Sequence, residues 1–469
     1  MSFINEDFLL YSKTAKVLFN NFAKDAPIFD WHCHLPPEQI ANDHHFSNIT
    51  ELWLGGDHYK WRLMRLAGVD EKYITHEGSP KDKFLAYCQV MPQCCGNPVY
   101  HWSHLELKRF FNIDEELNAK NGELLWEKCN ARIQEADFSA RQLMLRSNVR
   151  YVCTSDDPAD SLEHHQKLAS DSAFPIKVFP AFRPDKYLNL TLAGFKEQLE
   201  RLGTAAGVCI DSYENLVKAL KLRIEYFHQN GARHSDHGWD VVRFVTASPA
   251  ELNIILEKAI TGQAISLEEC AQWRSSLMLE LAREYCKHHW VMQIHIGALR
   301  SINTRMLALH GRDCGYDCSG DTPYLNQLAM FLDTLESEGN LTDTVLFSLS
   351  PNDDLALNNL AGCFPGDAHR AKVQLGPAWW LNDHIDGMRR QLTSFANSGV
   401  LATFIGMVTD SRSFLSYPRF EYFRRILCNF VGEMIDRSEF TSDLDAAGEI
   451  IRNICYNNAY AKYFGNMPR

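Results

Sequence analysis

Residues 27–34 read Pro-Ile-Phe-Asp-Trp-His-Cys-His (PIFDWHCH). A short apolar and aromatic run opens the segment, and two histidines one residue apart close it. Runs of this length with β-branched and aromatic residues are read as strands. Outward along the chain the same kind of run recurs at 149–154 (VRYVCT), 175–182 (PIKVFPAF), 290–296 (WVMQIHI), 344–350 (TVLFSLS), 372–377 (KVQLGP) and 402–410 (ATFIGMVTD), with a weak candidate at 232–236 (ARHSD). Long amphipathic stretches separate most of them, including 190–202, 266–288, 323–338 and 386–398. Strands alternating with helices imply parallel βαβ units. Eight such units predict a closed α/β (β/α)₈ TIM-type barrel.

The gap between the first two strands is too long for one crossover helix. Residues 36–146, rich in Trp, His and helix formers, are read as a mainly helical insertion over the barrel mouth. Residues 1–35 and 147–469 are assigned to the barrel. A smaller insertion is placed at about 249–272, and 450–464 (IIRNICYNNAYAKYF) is read as a packed terminal helix.

The 469 residues are 45% hydrophobic and 23% charged, as in folded globular chains. A net charge of −12 argues against a general nucleic-acid binder, which presents a basic face. No apolar run reaches membrane-spanning length. The N-terminal MSFINEDFLLYSKTAKVLF lacks the basic and apolar regions of a secretory signal. The 14 cysteines are therefore read as thiols in a reducing cytoplasm. His310, Cys314 and Cys318 imitate zinc ligands, but their spacing fits no usual pattern and a fourth ligand is missing.

Alternation along a strand puts His32 and His34 on one face, at the carboxyl end where barrel active sites lie. In a chain with 19 histidines one His-x-His pair arises by chance roughly 0.8 times, so position rather than the motif carries the weight. Asp410 ends the last strand candidate, which a closed barrel places beside the first. Two histidines and a carboxylate suit a divalent metal with open positions; a helix N-cap is the plain alternative for Asp410. His295 ends the fifth strand candidate, where a satisfied core histidine is the competing reading. Residues 55–62 (GGDHYKWR) gather His58, Tyr59, Lys60 and Arg62. Arg183 and Arg412 follow strand ends and suit a carboxylate through paired hydrogen bonds. Trp379 and Trp380 follow the seventh strand candidate, and one of them is expected to wall a pocket.

Together these stretches resemble the uronate isomerase family of the amidohydrolase superfamily. The resemblance rests on AKDAPIFDWHCHLPPEQIA, GDHYKWRLMR, GNPVYHWSHLEL, TSDDPADSLEHH, RPDK, SDH, IHIGALR, WWLND, DGM and IGMVTDSRSFLSYPRFEYFRRILC. It covers nearly the whole chain and implies a distorted (β/α)₈ barrel with one divalent metal. The implied reaction interconverts D-glucuronate with D-fructuronate and D-galacturonate with D-tagaturonate in uronic acid catabolism. Carried over by residue, the metal ligands are His32, His34 and Asp410. The polar set is His58, Tyr59, Arg183, His295 and Arg412, with Trp380 lining the pocket. Zinc is the first candidate metal, one that catalysis need not require, and no nucleotide cofactor is expected. The bridging lysine of two-metal hydrolases in the superfamily is not evident.

The implied chemistry moves a proton from C2 to C1 through a cis-enediol. Asp410 or Tyr59 is the candidate base, with Asp410 preferred because Tyr59 would need a much lowered pKa. Arg412 is the candidate enediolate stabiliser, His58 and His295 candidate carriers of hydroxyl protons, and Arg183 the candidate grip on the substrate carboxylate. The expected partners are a small-molecule uronic acid and further copies of the chain, with no nucleic acid and no membrane. A metal-dependent sugar-acid lactonase and a non-catalytic sugar-acid binding protein are the rival readings.

Overall fold

The computed structural model describes residues 3–367 and 370–465; the outermost bounds assigned to the barrel, 1 and 469, lie outside them. Among the described residues seven strands form one parallel sheet in chain order. They are β1 (Ile28–Asp30), β2 (Val149–Asp156), β3 (Lys177–Phe182), β4 (His234–Trp239), β5 (Val291–Ile296), β6 (Thr344–Ser348) and β7 (Val373–Leu375). Chain-order neighbours joined by helical crossovers are what a barrel requires. The helices include Tyr213–Gln229, Leu267–Lys287, Leu325–Ser337 and Ile385–Ser398. Leu267–Lys287 starts at a capping box in which Ser266 and Glu269 satisfy each other's backbone N–H. Between β1 and β2 the chain is helical, from Pro37–Ala41 through Ala140–Arg146.

The weak fourth candidate is a strand, displaced two to three residues downstream. Its sequence, HSDHGW, is polar yet mostly buried: Asp236 meets Arg183 and His295, and His237 Nε2 pairs with Ser235 Oγ at 3.1 Å. A six-residue ladder with β5, from His234↔Val291 to Trp239↔Ile296, holds it in the sheet. Backbone pairing on a covered sheet overrides side-chain propensity here.

The eighth candidate, 402–410, forms no ladder. It begins with a 3₁₀ turn (Leu401–Thr403) and runs on without regular pairing. It is fastened beside β1 at single points. The Asp410 N–H donates to His32 O at 3.2 Å, and the His34 N–H donates to Ser411 O at 3.0 Å. The buried Asp30 carboxylate accepts the Thr409 N–H at 2.9 Å. Gly406 takes a φ of 77° where a Cβ would meet the Ile454 carbonyl oxygen at 2.2 Å, so regular strand geometry is broken there. The barrel is distorted at its closure, between β1 and this segment.

Phe29, Trp31, Val291, Val345, Phe347 and Val408 form an interior apolar cluster with Tyr463 and Phe464. The last two belong to the terminal helix Asn458–Phe464, which continues Leu444–Arg452 through a π turn. Tyr463 accepts a hydrogen bond from Gln293 Nε2 on β5 at 2.9 Å. The terminal segment is thus packed, as its sequence suggests, and it seals the barrel interior from one end. The cysteines are all unpaired. No helix of the described residues is long and apolar enough to cross a membrane.

Candidate active site

His32 and His34 follow the end of β1, and Asp410 closes the segment fastened beside it. His32 Nε2 and His34 Nε2 lie 3.2 and 3.1 Å from the same oxygen, Asp410 Oδ1. The regular ladder of β1 ends at Asp30, so the backbone bonds to Asp410 and Ser411, not the pleat alone, hold the two rings together. Asp410 sits at φ 46°, a left-handed conformation unfavourable for a residue with a Cβ. Strain of this kind concentrates at functional sites.

The other carboxylate oxygen is also engaged: Trp379 Nε1 donates to Asp410 Oδ2 at 2.8 Å. Burial raises the Asp410 pKa, but the hydrogen bonds from His32 and His34 outweigh it and hold the group well below the usual carboxylate range. Burial drives His34 down to about 4. His32 is also penalised by burial, yet Asp236 and Asp410 raise it above the ordinary histidine value.

Behind these groups lies a second constellation. Asp236 on β4 is fully buried. His295 Nδ1 lies 2.8 Å from its Oδ1, while Arg183 Nη1 lies 2.8 Å and His32 Nδ1 3.9 Å from its Oδ2. Burial would raise Asp236, but Arg183 and His295 bring it well below the ordinary value. Arg183 also holds Asp185 through Nε at 3.0 Å. The His295 ring stacks on Phe347, with centroids 4.3 Å apart and planes 8° apart. Burial lowers its pKa.

His58 and Tyr59 open the helix His58–Leu66, whose N-cap Asp57 accepts the Lys60 N–H at 3.1 Å and its Nζ at 2.7 Å. The turn that this cap starts contributes His58 to the site's cavity. The His58 ring meets Trp380 edge-on at 5.0 Å. Tyr59 donates its hydroxyl to Asp383 Oδ2 at 2.9 Å. Burial, then Asp383 and Asp410, push the Tyr59 pKa well above its ordinary value. Burial brings Asp383 up to about 6.

A cavity of about 510 Å³ joins these elements. His32, His34, His58, Arg183, His295, Trp380, Asp410 and Arg412 all line it. Tyr59 stands behind this lining. Arg412 lies 3.8 Å from Asp313, its guanidinium partly exposed. Four arginines face four aspartates around the cavity, and this local balance answers the problem that a net charge of −12 sets for an anionic ligand.

The structure adds three groups to the site that the sequence reading does not contain: Asp236, Trp379 as the partner of Asp410, and Asp383. The signals were present in SDH and WWLND. Asp236 lay in the weakest strand candidate, and nothing in WWLND distinguishes the tryptophan that faces Asp410 from its neighbour. Cys314 and Cys318 do not join His310 as ligands: the Cys314 thiol donates to the backbone oxygens of His310 and Arg312, and Cys318 lies in a two-residue ladder with Leu299.

His32, His34 and Asp410 form one group whose ligand atoms could hold a metal ion, and His32, Asp236 and His295 a second that shares His32. Two imidazole nitrogens converging on one carboxylate oxygen are the donor set of a divalent transition metal. A distorted parallel barrel with this set where its first strand meets its last segment defines a barrel enzyme of the amidohydrolase type.

The family model described as glucuronate isomerase matches residues 1–464. A uronate isomerase of Clostridium acetobutylicum is 47% identical over 458 residues, covering 98% of each chain. The crystal structure of a uronate isomerase from Thermotoga maritima superposes with a TM-score of 0.93 at 33% identity, covering 99% of this chain and all of that one. A glucuronate isomerase structure from Caulobacter crescentus gives 0.91 at 27% identity, covering 99% of this chain and 98% of that one. The chain belongs to the glucuronate isomerase family.

Proposed function

We propose that the cavity binds a hexuronate and interconverts its aldose and ketose forms. The observation that carries this reading is the placement of Asp410 and Arg412, two residues apart, on a cavity of sugar size with the His32–His34 pair. Asp410 takes the C2 proton, Arg412 stabilises the enediolate charge, and the proton returns at C1. His58 and His295 pass the hydroxyl proton from O2 to O1, so the atoms balance without an external redox partner. A general base in place contributes typically 10²–10⁴-fold. The raised pKa of Tyr59 favours Asp410 over Tyr59 for this task.

Arg183 is the proposed grip on the C6 carboxylate. It uses Nε and Nη1 on Asp185 and Asp236, which fix its plane and leave other N–H groups toward the cavity. Trp380 supplies an apolar wall. His32, His34 and Asp410 are the proposed ligands of one divalent ion, with zinc the first choice for this donor set. When bound, such an ion polarises substrate oxygens and organises the site. Residues 36–146 act as the helical insertion that brings His58 and Tyr59 over the barrel mouth. We place the enzyme in the cytoplasm, acting on a free sugar acid as a homo-oligomer.

The test is incubation with D-glucuronate, with D-galacturonate and, separately, with a sugar-acid lactone. A ketose product of unchanged mass supports the isomerase; a product heavier by one water, from a lactone substrate only, supports the lactonase reading instead.

A further inference from the structure

Away from the barrel cavity, three side chains from two distant stretches meet at the surface. His76 lies just beyond the 3₁₀ turn Glu71–Tyr73, and His310 ends the helix Thr304–His310. His76 Nε2 lies 3.1 Å from His310 Nδ1. One oxygen of Glu71 completes a set whose ligand atoms all lie within 4.8 Å of one another. We propose that Glu71, His76 and His310 form a second divalent transition-metal site, for which zinc is the fitting ion.

Zinc–nitrogen bonds of about 2.0–2.1 Å at tetrahedral angles separate two ligand nitrogens by roughly 3.3 Å. The His76–His310 separation is close to that, so small ring movements admit the ion. The ligands are oriented from behind, as metal ligands commonly are. Arg65 fixes the Glu71 carboxylate through Nε on Oε2 at 2.7 Å and Nη2 on Oε1 at 2.6 Å, and the Thr75 hydroxyl also donates to Oε1, which leaves Oε2 the oxygen with a further lone pair for the ion. Tyr316 lies nearly parallel to the His310 ring, at 12°, with centroids 6.2 Å apart, and the Arg65 guanidinium covers Tyr316 at 4.8 Å. Two imidazoles and one carboxylate leave a fourth position for water.

The place of the site gives it a consequence. Arg312 and Asp313, two and three residues beyond His310, line the catalytic cavity. A metal here ties the segment that carries them to the turn after the helix His58–Leu66. The site is a clamp on one wall of the cavity, chemically separate from the His32–His34–Asp410 set.

Zinc binding to the metal-stripped full-length protein tests this, with wild type, His32→Ala, the double variant His76→Ala/His310→Ala, and the triple combination. The expected stoichiometry falls by one equivalent on removal of His76 and His310, in the wild-type and the His32→Ala backgrounds alike. Zinc should also slow hydrogen exchange over residues 304–317 in His32→Ala, and this protection should vanish in the triple variant. His76 is exposed and His310 half-buried, so the double variant should fold as wild type, and melting temperatures check folding in every variant, the buried His32→Ala included. Unchanged zinc stoichiometry, or protection of 304–317 that survives loss of both histidines, overturns the proposal. Because His32→Ala isolates the surface site, failure here is distinguishable from failure of the catalytic-metal assignment.

Discussion

The Trp379 indole donates its N–H to Asp410 Oδ2 at 2.8 Å, on the opposite side of the carboxylate from His32 and His34. Oδ1 is therefore the oxygen for the histidine cluster, and Oδ2 is the oxygen left for proton transfer. The indole sets the orientation of the second oxygen. Trp379→Phe keeps an aromatic ring but removes the donor. A hydrogen bond to a charged group contributes ~1.5–3 kcal/mol. We expect kcat to fall about tenfold or more with KM within about twofold, measured by steady-state kinetics. A kcat equal to wild type would mean that Asp410 is positioned without the indole.

Asp410→Asn preserves size and one ligand oxygen but removes the base. It should bind substrate analogues and lose at least about 100-fold in kcat. Rates with C2-deuterated glucuronate in both proteins show whether C2–H cleavage limits turnover. Near wild-type turnover by Asp410→Asn transfers the role of base to Tyr59.

Arg183→Met should raise KM for glucuronate by roughly tenfold or more, the value of a charge-assisted contact to a carboxylate. Asp236→Ala should act differently. It strips a buried acid from both Arg183 and His295, and breaking a buried pair costs about 3–5 kcal/mol. Its signature is a lower Tm as well as lower activity. An Arg183→Met enzyme with unchanged KM assigns the carboxylate to another cavity arginine.

Metal content separates the ligand set from its surroundings. His32→Ala should carry one equivalent of divalent metal less than wild type by elemental analysis. Equal content in the two proteins refutes His32 as a ligand.

Acid stability reports the cap that aims His58 and Tyr59. Burial raises the pKa of Asp57, but Lys60 and Arg419 outweigh it and bring it from 3.8 to about 2. A depressed folded-state pKa means stability that is present above pH 3.8 and lost as pH falls toward 2. The contribution is ~2 kcal/mol for a shift of this size. Urea unfolding between pH 2 and 5 should show a shallower pH dependence in Asp57→Asn than in wild type. Parallel curves would show that Asp57 does not contribute to the acid transition.

The order of strands and crossover helices, the place of the His32–His34 pair at a strand end, and the family are all legible in the amino-acid sequence. These are local: a period of two, a run of β-branched residues and an exact motif survive without knowledge of what packs against them. Asp30 and Thr409, 379 residues apart, were legible only as ordinary polar residues, yet their contact fastens the last segment to β1. That segment looks like a strand because Phe404, Ile405, Met407 and Val408 are apolar. Its departure from strand geometry comes from long-range packing, since Gly406 lies so close to the Ile454 carbonyl of the terminal segment that a Cβ would not fit. The polar β4 was nearly invisible for the opposite reason. Its Asp236 is tolerable at 0% exposure only because Arg183 from β3's end and His295 from β5 arrive on either side. A buried charge needs partners, and partners brought from separate neighbouring strands are a property of the assembled sheet.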